Sequence, residues 1–522
     1  MEQRFIPSGL ADGSNQNSNF DGSCKLLQNL IFDRVEHRRL IARPAVTSGI
    51  VFSPTFSSPG VISASIVIGS RVYGLIATSR NAGNDEPFCY DFSTAAFITI
   101  SGVTSGNTPA TPSTTGDWIP PTMAAITSKI LVSHPGFSGA NKLGWFDLAN
   151  PASPAWAAGN TTPNGITGIA TSVSNFNNRG YITVGNTAFI TDSLLATTIT
   201  NATQNIQLSA STDPITAGSG LPLTTGTQGI LQSLILFKAN ETWQVTGDIA
   251  LGTLALNQLS NSIGCSAPRT VSASPTGMFF MSADGIRQVT QSGIISDANS
   301  DLFQPFANAI NPSRACAAWN NSVYRISINT TTYGNISSQD LWLDTIYGRW
   351  NGPHTFTYDM VVPYHDKFLL SSSAHPGVMY LSQVVSSNAL FIEGGSTLAC
   401  VMQSMHMNNA DPMSEKLIIE STIEVNNQFP QNTYNVTCLS EEGDILNIVS
   451  IINKGTAPIW GTMIWGQFTW SSSSSNPKTF LIPWTEPIVY KQLTMTINVS
   501  ASSSIGIHSI MNRTNDLGYT LK

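Results

Sequence analysis

Runs of four to six aliphatic, aromatic or β-branched residues recur along the 522-residue chain, broken by clusters of Gly, Asn, Asp, Pro and Ser. Helical periodicity is scarce. This alternation of apolar runs with turn residues predicts many short antiparallel strands. The runs also have a period. Apolar openings begin near Val72, Ile130, Tyr181, Leu234, Met278, Val323 and Phe368, at steps of 58, 51, 53, 44, 45 and 45. Each opening is followed by a turn and a second strand. Two units align at an offset of 44: Leu234–Phe237 leads through Asn240 to Thr242–Thr246, and Met278–Met281 leads through Asp284-Gly285 to Ile286–Thr290. Asp-Gly is a strong hairpin turn because Gly reaches positive φ without a Cβ clash. Looser copies follow at Val323–Ile328 with Leu341–Asp344, and at Phe368–Leu370 with Gly377–Leu381.

A period of about 40–50 residues, with several strands per unit, is the signature of propeller blades. The expected fold is all-β. A β-propeller of six to eight blades, seven favoured, occupies 50–390, and a C-terminal β-sandwich or jelly-roll-like domain occupies 391–522. Residues 1–49 form an N-terminal extended segment and strand. A long array of β-sandwiches with similar hairpins is the competing arrangement. The C-terminal domain is read from longer alternating strands, Leu417–Val425, Thr433–Leu439 and Leu493–Val499. In the last of these Leu493, Met495, Ile497 and Val499 share one face, as in a half-buried strand. Three stretches, 101–122, 149–175 and 209–229, read as long inserted loops. Such loops are uncommon in compact domains unless they serve a function.

Composition sharpens this picture. Charged residues make up 11% of the chain, against about 25% in an ordinary soluble protein. That excludes a coiled coil, while 41% hydrophobic content excludes classical disorder. The formal charge is −7, so no basic surface for tight nucleic-acid binding is expected. Six scattered cysteines, with no Cys-x-x-Cys pair, read as isolated core thiols. No run of about 18 apolar residues predicts a membrane-spanning helix.

Catalytic motifs are sparse. The chain has no Gly-x-Ser-x-Gly elbow, Walker loop or His-Glu-x-x-His helix, and Gly218-Ser-Gly220 reads as a flexible loop. His365-Asp366 with His375 is the best local group of metal-ligand types, with a solvated loop as the plain alternative. Asp85-Glu86 is the one adjacent acid pair in the propeller region and reads as a charged turn before Pro87. Ser282-Ala-Asp284-Gly285 matches the start of a sialidase-type Asp box but lacks its Trp. One charge cluster stands out, with Arg34, Arg38, Arg39 and Arg43 close to the N-terminus. Arginines there can contact a carboxylate or phosphate on a partner, or form a solvated strand face.

Several segments together resemble a known family. They are Gly9-Leu-Ala-Asp-Gly-Ser-Asn15-Gln16, Leu27-Gln28-Asn29-Leu30, the Arg43-Pro44 step and the two aligned repeats containing Trp243 and Arg287. Ile263-Gly264-Cys265, ahead of the strand at Met278, belongs with them. The chain resembles the tail tubular proteins of short-tailed bacteriophages, also called tail nozzle or packaged-DNA stabilisation proteins. The resemblance implies a structural virion protein and not an enzyme, with no cofactor and no metal. It implies a homohexameric tube in the virion tail, assembled in the host cytoplasm. The tube would dock below the portal and an adaptor protein, neighbour tail fibres or spikes, and let double-stranded DNA pass without tight binding. Six copies at −7 each would carry −42, which repels phosphate. On this reading Arg34, Arg38, Arg39 and Arg43 are adaptor-docking candidates. Ser101, Thr108, Thr115 and Asp117 are candidates for a lumen gate or tip loop. Two alternatives are weighed. A carbohydrate- or receptor-binding propeller needs aromatic platforms at equivalent blade positions, yet Trp243 is matched by Arg287. A propeller glycosidase needs clustered carboxylates flanking one sugar.

Overall fold

The computed structural model describes residues 2–11, 22–34, 36, 38–77, 83–112, 120–209, 212–224, 230–298, 302–332, 335–384, 392–393, 396–407, 414–426, 432–453, 477–501 and 505–518. Seven four-stranded antiparallel sheets follow one another along the chain. The first blade runs Ile62–Ile68, Arg71–Ala77, Asp85–Asp91 and Ala96–Ile98. The second runs Thr122–Ile126, Lys129–Ser133, Leu143–Asp147 and Ala155–Gly159, and the third Ser172–Phe176, Arg179–Val184, Thr187–Ile190 and Asn205–Gln207. The fourth is Ala217–Thr224, Ile230–Phe237, Thr242–Thr246 and Ala255–Ser260, and the fifth Ser272–Ser274, Gly277–Ser282, Gly285–Thr290 and Ile295–Asp297. The sixth is Cys316–Asn320, Val323–Thr332, Asn335–Asp344 and Arg349–His354.

The seventh blade takes Met360–Tyr364, Lys367–Ser371 and Val378–Gln383 from the end of the repeat region, and its outer strand, Thr47–Val51, from the beginning. Met379 faces Ile50 across this pairing. First strands of successive blades touch in turn, and the seventh touches the first, so the ring is closed. The fold is therefore a seven-bladed β-propeller, as the sequence period predicts.

All seven apolar openings lie in the second strand of a blade. Those strands are covered on both faces by neighbouring blades, so they carry continuous apolar runs. Val72, Ile130, Leu234, Met278 and Phe368 are wholly buried. Burying one such side chain contributes ~1.5–3 kcal/mol. Ala283 and Asp284 form the turn that joins the two middle strands of the fifth blade, and Gly285 opens the second of them at φ +138°.

The innermost strands are a different matter. Two of the expected loops contain them: 149–175 holds the start of Ser172–Phe176, together with the outer strand Ala155–Gly159 of the second blade, and 209–229 holds Ala217–Thr224. Gly218-Ser-Gly220 is therefore strand and not loop. Strands converging on an axis leave room only for small side chains, and a Cβ on Gly218 would approach Leu236 to 2.7 Å.

Thr162–Pro163 and Thr198–Ile199 pair with each other as a small parallel sheet, and the other remaining strands form a two-sheet sandwich in which both ends of the chain meet. One sheet has the order Leu30–Phe32, Leu40–Ala42, Ile507–Gly518, Glu415–Asn426 and Pro477–Leu481, with Glu2–Phe5 also on Ile507–Gly518. The other has the order Gly9–Leu10, Ser23–Gln28, Ser396–Ser404, Thr494–Ala501, Asn432–Leu439 and Ile445–Asn453. Residues 1–49, expected as an extended segment and strand, supply strands stitched into the sandwich and, at Thr47–Val51, into the propeller. Leu493, Met495, Ile497 and Val499 point into the core as their alternation predicts. That core continues without a break into the fifth and sixth blades through Phe279, Tyr324, Leu341 and Trp350. All six cysteines are buried and unpaired.

Candidate functional site

The seven innermost strands enclose an axial cavity of about 480 Å³. Ser65, Thr122, Ser174, Ser219, Ser272, Ala317 and Val361 line it, one from each blade. Small hydroxyl-bearing residues alternate there with small and mid-sized apolar ones such as Ala64, Val173, Ala217 and Val271. Arg269, just ahead of the fifth blade, lines this cavity and also a second one of about 390 Å³ at the propeller mouth. Arg314, Asp85, Asp359 and Tyr358 border the mouth. Burial pushes the Cys316 thiol in the axial wall up to about 12, which keeps it neutral and inert near neutral pH.

Asp85 and Glu86 are not in a turn. They open the third strand of the first blade and are buried. Asp85 lies 3.1 Å from His134 Nε2 of the second blade and accepts the Thr111 hydroxyl at 2.7 Å. The Gly136 N–H donates to His134 Nδ1 at 3.0 Å, so Nε2 is the nitrogen that carries the proton toward Asp85. With both ring nitrogens engaged, this histidine acts as a tie between two blades.

A larger buried network joins blades six and seven. The Arg325 guanidinium grips Asp340 side-on at 3.0 and 2.6 Å and donates to Ser382 Oγ at 2.7 Å. The Trp342 indole and the Tyr358 hydroxyl donate to Asp340 Oδ1 at 3.0 and 3.1 Å. The Trp342 and Tyr358 rings lie 4.6 and 4.9 Å from the guanidinium. Both charged side chains are fully buried. Sequence reading passed over this pair, although a lone arginine inside the apolar run Val323–Ile328 was the available signal.

The four N-terminal arginines separate in space. Arg43 is wholly buried. It holds Glu393 with two bonds of 2.8 and 3.0 Å and donates to Asn29 Oδ1 at 2.9 Å, so it is an internal clamp and cannot serve as a docking residue. Arg39 is mostly buried, pairs with Asp33 and lies 3.3 Å from Glu36. Arg34 donates to the Asn321 carbonyl, and burial lowers its pKa against the opposing pull of Asp344 and Tyr347. Arg38 is the exposed member of the set. Arg39 is neutralised locally by Asp33 and Glu36, whereas Arg34 and Arg43 are held by partners distant in sequence.

The loop candidates divide similarly. The exposed Ser101 pairs its backbone with Pro154 and Trp156, at 3.0 and 2.8 Å. Thr108 is buried, accepting from Asn84 at 3.1 Å and donating to the Thr104 carbonyl at 3.2 Å. Residues 101–112 are therefore fastened to the first two blades. Thr115 and Asp117 lie outside the described residues. His365 and His375 are both exposed, on separate turns of the seventh blade. No group of three metal-ligating side chains occurs among the described residues. No helix among them is long and apolar enough to cross a membrane.

No family model and no curated protein matches the chain. Among solved structures, the chain is similar to an exo-β-1,3-galactanase from Phanerochaete chrysosporium bound to β-1,3-galactotriose. The identity is 8%, with 91% of this chain and 100% of that one covered, at a TM-score of 0.25. A puromycin hydrolase is 11% identical over 78% of this chain and 62% of its own, at a TM-score of 0.37. The β-propeller domain of the Trilobed protease from Pyrococcus furiosus is 10% identical over 64% of this chain and 98% of its own, at a TM-score of 0.32. The expectation that the chain is not an enzyme is corrected here: propeller hydrolases stand among the structures similar to it, so the exclusion of catalysis is withdrawn. None of their activities passes to this chain at such low identity, and the fold rests on the strand pairing itself.

Proposed function

We propose that this propeller protein is a wall subunit of the tail nozzle of a short-tailed bacteriophage, placed below the portal and adaptor rings and surrounding the path of the genome. The observation that carries this reading is the role of the opening residues that bear the resemblance. Asn29 and Arg43 form the buried clamp on Glu393, and Asn29 also accepts the Thr355 N–H and hydroxyl at the edge of the propeller. The family-like opening is thus the joint between the sandwich and the propeller. The sparse acidic charge supports the same reading, because a weakly charged, net negative wall gives phosphate little to hold. Within the arginine cluster, adaptor contact narrows to Arg38.

The test is electron microscopy of the recombinant chain mixed with portal–adaptor complex. A sixfold ring of this chain below the adaptor is expected. A lone monomer that never joins the complex would overturn the proposal. Arg38→Glu is expected to reduce attachment while leaving the chain folded, and undiminished attachment would remove Arg38 from the interface.

A further inference from the structure

The propeller axis carries an arginine, Arg269, that has no ion-pair partner at bonding distance among the described residues. The three fully or nearly buried arginines each face a carboxylate: Arg43 meets Glu393 at 2.8 Å, Arg179 meets Asp248 at 3.1 Å and Arg325 meets Asp340 at 2.6 Å. Arg269 has no such partner within ion-pairing distance among the described residues. Its Nη1 and Nη2 reach the Ser63 and Arg314 carbonyls at 3.4 and 3.2 Å, and its buried Nε has no hydrogen-bond partner. Burial, its largest influence, pushes the guanidinium pKa down, against the pull of Cys316 and Asp359. Arg269 is partly exposed, yet its Nε is buried and unsatisfied, and such a guanidinium gains from an opposite charge at hydrogen-bond distance.

Position makes this arginine accessible. It stands where the axial cavity and the mouth cavity share a wall. In the axial cavity it is the only charged residue among the described lining, alongside Ser65, Thr122, Ser219 and Ser272, of which Ser65, Thr122 and Ser272 also bond Met360, Ser133 and the Trp319 N–H within the fold. Two carboxylates border the mouth, and both are occupied: Asp85 by His134 and Thr111, Asp359 by the Ser373 N–H. The volume, about 480 Å³, lies within the ~300–1,000 Å³ of small-molecule sites.

We infer that the axial cavity is a binding site for a small hydroxylated carboxylate of the sugar-acid class, with its carboxylate on Arg269 and its hydroxyls on the surrounding serines and threonine. A planar guanidinium favours a carboxylate over a neutral group, and the ring of hydroxyls favours a polyol over an apolar acid. The inference stands apart from the nozzle reading, since it concerns the interior of one propeller and not the bore between subunits.

Isothermal titration of the full chain with D-glucuronate tests it, with D-glucose and inorganic phosphate as the other arms. Saturable glucuronate binding tighter than ~1 mM is expected, with glucose and phosphate each about tenfold weaker or more. Arg269→Gln is expected to weaken glucuronate binding by about tenfold or more, the loss of a charged hydrogen bond. If that variant does not fold, Ser219→Met serves in its place. It keeps the charge, fills the cavity and is expected to abolish binding. Equal binding of glucose, equal binding of phosphate, no saturable glucuronate binding, or binding that survives both substitutions would each overturn the inference.

Discussion

The propeller and the sandwich are both built of packed antiparallel sheets, but their wiring is opposite. Inside a blade, partners are near neighbours in sequence: Met281 faces Ile286, and Tyr324 faces Leu343. In the sandwich they come from opposite ends: Phe5 faces Ile510, and Leu27 faces Met402. Tight turns therefore specify the blades one at a time. The sandwich has few such turns and is specified by burial of alternating faces over great sequence distance, where loop closure costs more. Among the described residues, one strand pairing gives the propeller the sandwich's long-range character, that of Thr47–Val51 with Val378–Gln383.

The hardest blow to this contrast is struck inside the propeller. Asp340→Ala leaves Arg325 buried without its counter-charge and strips the acceptor from Trp342 and Tyr358. A loss of ~3–5 kcal/mol is expected in urea denaturation. A loss near zero would mean that hairpins alone hold blades six and seven together. Next comes the closure. Ile50→Ala is expected to cost ~2–5 kcal/mol, because Ile50 is fully buried beneath the distant Met379 pairing. If the exposed neighbour Val51→Ala costs as much, closure contributes nothing special.

The joint between the two regions gives a smaller, pH-dependent effect. His354 accepts the Asn29 N–H at 3.1 Å, and burial, followed by Arg43 and Arg325, holds its pKa well below 6.5. The unfolded chain takes up a proton near pH 6.5 that the folded joint refuses. Stability is therefore full above that pH and falls below it, by ~1.4 kcal/mol per pH unit, until the folded pKa is reached. His354→Gln is expected to flatten this slope between about pH 7.5 and about pH 5.5; an unchanged slope would place the effect elsewhere. The smallest expected effect is that of Arg38→Ala, within ~0.5 kcal/mol, because Arg38 is exposed.

The same contrast explains what could be read from the sequence. Middle blade strands were legible, since covering both faces demands unbroken apolar runs such as Leu234–Phe237. Innermost strands were not: Ser172–Phe176 and Ala217–Thr224 carry the small polar residues that an axial channel requires, and those are also loop residues. Asp85 read as part of a turn because its partner, His134, belongs to the next blade. The arginine cluster read as one surface, although Arg43 faces a glutamate 350 positions away that no local pattern announces. Arg269 escaped notice for the same reason. Its meaning lies in the company around the axis, and its flanking residues, Pro268 and Thr270, carry no sign of it.

The closing strand also imposes an order on synthesis. Thr47–Val51 leaves the ribosome before any blade exists, and its partner strand begins only at Val378. At ~5–20 residues per second, that edge stays open for roughly a quarter of a minute to a minute. During that interval six complete sheets must fold beside an unlatched ring, with a bare strand edge that a chaperone, or a second nascent copy, can reach first.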